Sequence, residues 1–420
     1  MLLINYDNLP EPKFLYFCPF GKLQIKYKIM KKQLSLISVF FVFLAMGFGD
    51  AANQLVSVVK DAFQVSSFTA SFVAFCGMIM FGVLSVPTGV WQSKIGKKKM
   101  LTIGLCLFLL GALLPILAFN FPIILLAVLL MGAGATILQV SGNPLIRDVS
   151  DEGKFSSMLS FAQSLKAIGT LSTSLIIALV GVSLVNHAWF NPIVNGEPIY
   201  TGFRILFPIF AVLLLITLVM VIAFVPSNVS KSDEKPTTVG NCIRALGNPF
   251  ILMMFLAIFF YCGAEASMFN MIPRIFGESV NTVGNIVLIA SLFVGRFLGG
   301  VILRNMSAKK FLGVTVAISI LGNLLMFVPD NAFLSWTGIA LVGFGFANIF
   351  PLVFSICVDH KPEMSNEISG LMMTAIVGAA FVPLLTGAMA DVAVRLAFIV
   401  PLACLCYLCF VTARVSKNVE

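Results

Sequence analysis

LSLISVFFVFLAMGFGDAANQLVSVVK, residues 34–60, is an apolar run of helix length that carries a carboxylate, Asp50, in its second half. At about 1.5 Å rise per residue, some 20 residues cross the ~30 Å hydrocarbon layer of a bilayer, so this segment spans one with some tilt. Asp50, Asn53 and Gln54 fall at i, i+3 and i+4 and share one helix face. A charge at membrane depth costs about 2.5–3.5 kcal/mol on insertion scales, so it is kept where it meets water, a partner or a solute.

The composition agrees with that reading over the whole chain. Of 420 residues, 59% are hydrophobic and 11% charged, and the mean hydropathy is +1.02. Soluble globular chains do not reach such values, so a polytopic membrane protein set in the lipid bilayer is expected. The formal charge of +9 is carried by residues between apolar runs, where membrane topology explains it without a nucleic-acid partner. Of nine cysteines, Cys404, Cys406 and Cys409 are the tightest group. They sit in an apolar segment with no His or acid beside them and read as small apolar helix residues, so no metal, cofactor or disulfide is expected. No GxxxxGK[ST] occurs, which leaves transport driven by a gradient rather than by nucleotide. Not an enzyme but a carrier is the expectation.

Twelve spans follow in order, at 34–59, 69–92, 101–119, 122–144, 158–182, 201–225, 249–272, 280–303, 311–328, 333–355, 364–390 and 392–414. With both termini on one side, that side holds 17 Lys and Arg and the other holds Lys60, Arg204, Arg274 and Arg395, which makes the first the cytoplasmic face. Residues 1–29 show no periodicity, and Met30-Lys31-Lys32 reads as a normal start, so 1–29 is expected to be a non-native extension. The first span is too long for a cleaved signal core.

The polar segment 226–248 divides the spans six and six, giving bundles at 30–225 and 249–420. GFGDAAN (47–53) answers YCGAEAS (261–267), TGVWQSKIGKKK (88–99) answers GGVILRNMSAKK (299–310), and GAGAT (132–136) answers GFGFA (343–347). Three motifs at nearly one separation indicate a repeat. Parallel six-helix repeats joined by a cytoplasmic loop are the architecture of the major facilitator superfamily. The predicted fold is therefore an all-α membrane protein of 12 transmembrane helices in two six-helix repeats, acting as a monomer.

By depth, Asp50 and Glu265 lie to the outer side of centre on matching spans, above a polar shelf of Gln139, Asn143, Gln163 and Lys166. Four of these have a plainer reading as well: Asp50 as a packing partner of Lys166, Glu265 as the partner of Arg296, Lys166 as an ammonium stabilised by Asp50 rather than by a substrate carboxylate, and Asn143 as the cap of a fourth span ending at Pro144. The glycines at 132, 134, 343 and 345 read as close helix contacts, and KIGKKK (94–99) as a solvated loop that also gates the inner face.

Several motifs resemble the fucose, glucose and galactose proton-symporter family of the major facilitator superfamily: GNP (142–144), AQSLKAIGT (162–170), YCGAE (261–265), GRFLGG (295–300), and FPLVFSICV with SGLMMTAIVGAAFVPLLTGAMAD (350–358 and 369–391). The resemblance runs from Met30 to the C-terminus. It implies an Asp in the first span and a Glu in the fourth as the protonatable pair. Those positions hold Asn53 and Gln139, which do not titrate. An Asn of the family one turn earlier becomes Asp50, and one in the fifth span becomes Lys166, so an acid has moved by three residues and a base has entered the cavity.

The function expected is secondary active uptake of a sugar or sugar derivative across a bacterial inner membrane, coupled to a cation, proton or sodium. Asp50, Asn53, Gln54, Gln139, Asn143, Gln163 and Lys166 would line the N-terminal side of the site and Glu265, Asn270 and Asn348 the other, with Asp50 and Glu265 as ion-coupling groups. Each sugar hydroxyl taken from water needs such a partner. The alternatives are an anionic sugar acid with Lys166 as counter-ion, or a membrane sensor that binds a ligand without moving it.

Overall fold

The computed structural model describes residues 19–49, 63–64, 67–183, 193–194, 197–198, 203–226, 237–276, 281–328 and 331–417. Helices account for nearly all of them: α1 (Pro19–Gly49), α2 (Ser67–Ile95), α3 (Lys97–Leu117), α4 (Phe121–Val149), α5 (Phe155–Ser183), α6 (Phe203–Phe224), α7 (Val239–Ala245), α8 (Pro249–Phe276), α9 (Asn281–Ile302), α10 (Ala308–Leu325), α11 (Ala332–Phe346), α12 (Ile349–His360), α13 (Ser365–Thr374), α14 (Gly378–Val392) and α15 (Ile399–Lys417). A two-stranded ribbon, Ile193–Val194 against Glu197–Pro198, follows α5. Among the described residues ten stretches are long and apolar enough to cross a membrane, and Ile286–Ile302 within α9 is a shorter apolar helix. The molecule is an all-α membrane protein.

Local chemistry sets several helix ends. Asn120 accepts a hydrogen bond from the Ile123 amide at 3.0 Å with Pro122 just inside α4, and Asn331 accepts from Leu334 at 3.1 Å at the start of α11. Thr238 does the same for α7 through the Asn241 amide, 3.2 Å away. Two long spans are interrupted. α11 gives way to α12 at Ala347 and Asn348, and α13 to α14 through a single 3₁₀ turn at Ala375–Val377.

α4 corrects one expectation. It runs through Pro144 to Val149, so Asn143 lies inside the helix and is no cap. Proline's φ suits a helix and its missing N–H is offset by neighbours in a packed span. KIGKKK is also less solvated than expected: Lys97 is buried and its ammonium lies 2.7 Å from Asp148 Oδ2 at the end of α4. A buried cation persists only with such a partner.

Packing depends on close backbone approach. Gly47 of α1 rests on the Lys166 carbonyl and Gly169 of α5, and Gly132 of α4 on Gly77 of α2. Gly343 of α11 is seated likewise on Leu288 and Ser291 of α9, and Gly345 on Thr315 and Ser319 of α10. Small residues here gain dispersion contacts, which drive association where lipid is as apolar as the side chains. Phe48, Phe108 and Phe210 then join α1, α3 and α6, with ring centroids 5.7 and 5.1 Å apart about Phe210.

The helices before residue 226 meet those after 237 at the end where α4 turns into α5. Ser156 Oγ lies 2.8 Å from Ser355 Oγ, Ser157 Oγ donates to the Gly300 carbonyl at 2.6 Å, and Arg147 Nε lies 3.5 Å from Asp359 Oδ1. Phe155 packs edge-on against Phe354, and Arg304 stacks over Phe161 at 5.5 Å.

Adding a methyl at Gly47 meets backbone, which yields less readily than a side chain. Gly47→Ala is therefore expected to destabilise the purified protein by about 1–3 kcal/mol, seen as a lower Tm. Gly313→Ala, with no atom within 4 Å of the added carbon, should melt at or slightly above wild type. Equal melting of Gly47→Ala and wild type would refute the α1–α5 contact.

Candidate substrate site

α4 and α5 bring three amides together midway along the bundle. Gln139 and Asn143 are one turn apart on α4, Gln163 is on α5, and all three are buried. Gln163 Nε2 donates to Asn143 Oδ1 at 3.5 Å, and Asn143 Nδ2 reaches Met373 Sδ of α13 at 3.5 Å. These long contacts leave both amides geometrically free to exchange partners, since a good N–H···O bond is nearer 2.9 Å.

Lys166 is three residues beyond Gln163 and half-buried. Its carbonyl is the one against which Gly47 packs, so α5 is docked on α1 three residues before Asp50 in the sequence. Asp50, Asn53 and Gln54 lie outside the described residues.

On the facing side, Glu265 of α8 and Arg296 of α9 form an ion pair, Nη2 to Oε1 3.7 Å, each side chain less than a quarter exposed. The pairing foreseen as the plain reading of Glu265 is present. Arg296 does more than neutralise it. Its Nε donates to the Ala347 carbonyl at 3.2 Å, where α11 is interrupted, and its Nη1 to the Gln163 carbonyl of α5 at 3.5 Å. One guanidinium thus holds α8, the α11–α12 break and α5, using its fork of donors.

Asn348 closes the same break. Its Nδ2 donates to the Gly295 carbonyl at 2.7 Å, and Gly299 makes room for its side chain. Asn270 is placed apart from this group: it is exposed, on another face of α8 from Glu265. Two residues not singled out from the sequence join the site. Met373 meets the Asn143 amide, and Tyr261, buried one turn before Glu265, packs edge-on to Phe346 with centroids 5.8 Å apart. The signal available for Arg296 was an arginine inside an apolar span; Met373 lay within the SGLMMT motif with nothing to mark it.

The arrangement offers neutral amide donors and acceptors, one ammonium, one guanidinium and one carboxylate at the junction of the two sets of helices. Such a set hydrogen-bonds a hydroxyl-rich solute from several sides.

Comparison with known proteins gives a consistent answer. The sequence model of the family described as the Major Facilitator Superfamily matches residues 36–383. The chain is 26% identical over 399 residues to a glucose/galactose transporter of Brucella abortus, covering 91% of this chain and 94% of that one. It is 22% identical over 411 residues to the L-fucose-proton symporter of Escherichia coli, covering 90% and 91%. Among solved structures it resembles a Major Facilitator Superfamily transporter, FucP, in the outward conformation, with TM-score 0.79, 17% identity, and coverage of 92% of this chain and 99% of the other.

If Glu265 and Arg296 act as one unit, their substitutions are non-additive. Arg296→Met should lower thermal stability more than Glu265→Gln, because it also frees the Ala347 and Gln163 carbonyls. The double variant should be more stable than the sum of the losses by about 0.5–3 kcal/mol. Strict additivity in a double-mutant cycle read by thermal unfolding would dissolve the unit.

Proposed function

The chain belongs to the Major Facilitator Superfamily, and we propose that it carries a sugar across a bacterial membrane by secondary active transport coupled to protons. The observation that supports this best is the polar group of Gln139, Asn143, Gln163, Lys166, Glu265 and Arg296, set between the helices before and after the linker and surrounded by apolar spans. Buried amides facing two charged groups are retained against their desolvation cost where they exchange hydrogen bonds with a solute. The names of the relatives, glucose/galactose transporter and L-fucose-proton symporter, favour a hexose.

In this reading the chain has twelve spans, divided at 226–248 into six-helix bundles at 30–225 and 249–420, with both termini cytoplasmic. α4 seated between α2 and α3, and α11 between α9 and α10, each by glycines in matching positions, support the repeat. The end sealed by Ser156–Ser355, Ser157–Gly300 and Arg147–Asp359 is then the cytoplasmic one. The substrate enters from the other side, and rocking of the bundles breaks the seal. Asp50, Asn53 and Gln54 complete the site on the N-terminal bundle. Asp50 and Glu265 are its titrating groups. Of these, Glu265 already has Arg296 as a counter-charge, which leaves Asp50 as the coupling group. Asn348 shapes the break from the second bundle, and Asn270 lies towards the periphery.

A second reading, a sugar acid held by Lys166, is favoured by the two cations that face the cavity from opposite bundles. Uptake into proteoliposomes separates the readings: a neutral hexose accumulated under an inward proton gradient supports the first, and accumulation restricted to sugar acids supports the second. Absence of flux for either class would favour a ligand sensor. Asp50→Asn is expected to abolish accumulation while equilibrative exchange persists. Gln139→Leu should keep accumulation and raise KM about 2–10-fold through loss of one hydrogen bond. Undiminished accumulation by Asp50→Asn would transfer coupling to Glu265.

A further inference from the structure

Along α4, Gln139, Asn143 and Arg147 recur at i, i+4 and i+8 and so share one face. That face meets the helices after 237 at two levels: Asn143 Nδ2 lies 3.5 Å from Met373 Sδ, and one turn further on Arg147 pairs with Asp359. On α13, Asn366, Gly370 and Met373 fall at i, i+4 and i+7, again on one face. The first two approach α2, where a methyl at Gly89 would lie 2.7 Å from the Asn366 carbonyl and one at Gly370 would lie 3.1 Å from the Ser85 carbonyl. α13 is thus held to α2 at Asn366 and Gly370, and to α4 by the sulfur of Met373.

The Asn143–Met373 contact is poorly matched. An amide N–H is a full-strength donor, whereas a thioether is a weak acceptor. Asn143 and Met373 both have no exposed surface, and the Asn143 carbonyl oxygen receives a long bond from Gln163, 3.5 Å. The sulfur covers the donor, so an oxygen that takes the same proton has to displace it. Methionine is unbranched and flexible, so it turns aside at low cost. It stands one residue before the end of α13, where the span passes through the 3₁₀ turn Ala375–Val377, a geometry frequent at hinges.

We propose that Met373 is a positioning residue of the substrate site: its sulfur and a substrate hydroxyl are alternative acceptors for the Asn143 amide, and the hydroxyl, in taking the donor, releases α13 from α4. This rests on the reading that the site carries a sugar. A hydroxyl is the better acceptor, and it has a proton of its own to donate, which a thioether lacks. The exchange takes place one turn from Arg147–Asp359, so binding loosens the sealed end from the site outward. A ligand shifts the arrangement of the helices only through such differential contacts. Met373 acts through Asn143 rather than on the sugar.

The test is uptake by the full-length protein in proteoliposomes under an inward proton gradient, with D-glucose, D-galactose and L-fucose, and then the monodeoxy analogues of whichever is accumulated. Met373→Leu nearly keeps the volume and removes the acceptor. It is expected to lower KM about 2–5-fold with the maximal rate unchanged. The exception is the one analogue that lacks the hydroxyl meeting Asn143, whose KM stays at the wild-type value. Met373→Gln places a stronger acceptor at similar reach and should raise KM for the parent sugar about 2–10-fold. A packing role alone would impair both variants, and for every sugar alike. A KM unchanged in Met373→Leu, or lowered equally for the parent sugar and all its analogues, overturns the proposal while leaving the sugar reading in place. Wild-type protein that takes up none of the three sugars overturns that reading and the proposal with it. If Met373→Leu does not fold, a KM in Met373→Gln equal to or below wild type overturns the proposal equally.

Discussion

The guanidinium of Arg296 is the point on which the meeting of α8, α5 and the α11–α12 break depends. A helix interrupted inside a bilayer exposes carbonyls that no water reaches, and each must find a donor in the protein. At the α11–α12 break the Ala347 carbonyl finds one in Arg296, and Asn348 anchors the other side of the break to Gly295. The same cation neutralises Glu265 and reaches the Gln163 carbonyl of α5. The irregular backbone, the buried acid and the contact with α5 thus share one residue. An ammonium, with three donors and no fixed fork, does not satisfy all three directions.

The contacts that close the opposite end are individually weak. A hydroxyl pair and a hydroxyl-to-carbonyl bond contribute about 0.5–1.5 kcal/mol each. Arg147–Asp359, whose carboxylate is half exposed, adds little more. A seal of a few kcal/mol can be opened by a ligand with modestly different affinity for the two arrangements. The glycine-lined contacts such as Gly47 on the Lys166 carbonyl are far less yielding, because they are backbone against backbone. Contacts of that backbone kind also join the two sets of helices where α2 crosses α13, at Gly89 against the Asn366 carbonyl and Gly370 against the Ser85 carbonyl, so parting this end means separating backbone from backbone as well as breaking the polar contacts.

Much of this was legible in the chain itself. Apolar runs of bilayer length, the basic bias of alternate loops and the paired glycine motifs lead to a multi-span all-α protein. Gln139, Asn143 and Gln163 could be grouped because the rise per residue along their spans puts them at similar depth. Other features had no sequence signal. The acceptors of Arg296 are backbone carbonyls, which look alike at every position, so the residue showed only as a charge beside Glu265. Asn270 was assigned to the polar side of the second half of the chain together with Glu265, while its angular position puts it on an exposed face of α8. Pro144 marked an end that neighbouring helices make unnecessary, and Lys97 seemed one of four equivalent loop lysines until Asp148 distinguished it.

The seating of Gly47 on the Lys166 carbonyl and Gly169 binds α1 and α5 into one body. If the proposed rocking of two bundles holds, residues carried on those two helices keep their mutual distances throughout it. A compound touching only that pair would meet the same surface from either side of the membrane, and with equal affinity for both states it would shift no equilibrium. It would occupy the carrier without arresting it. An inhibitor that locks one state has to reach across to Arg296, Glu265 or Met373, so selection for state-trapping ligands is selection for molecules large enough to bridge the bundles.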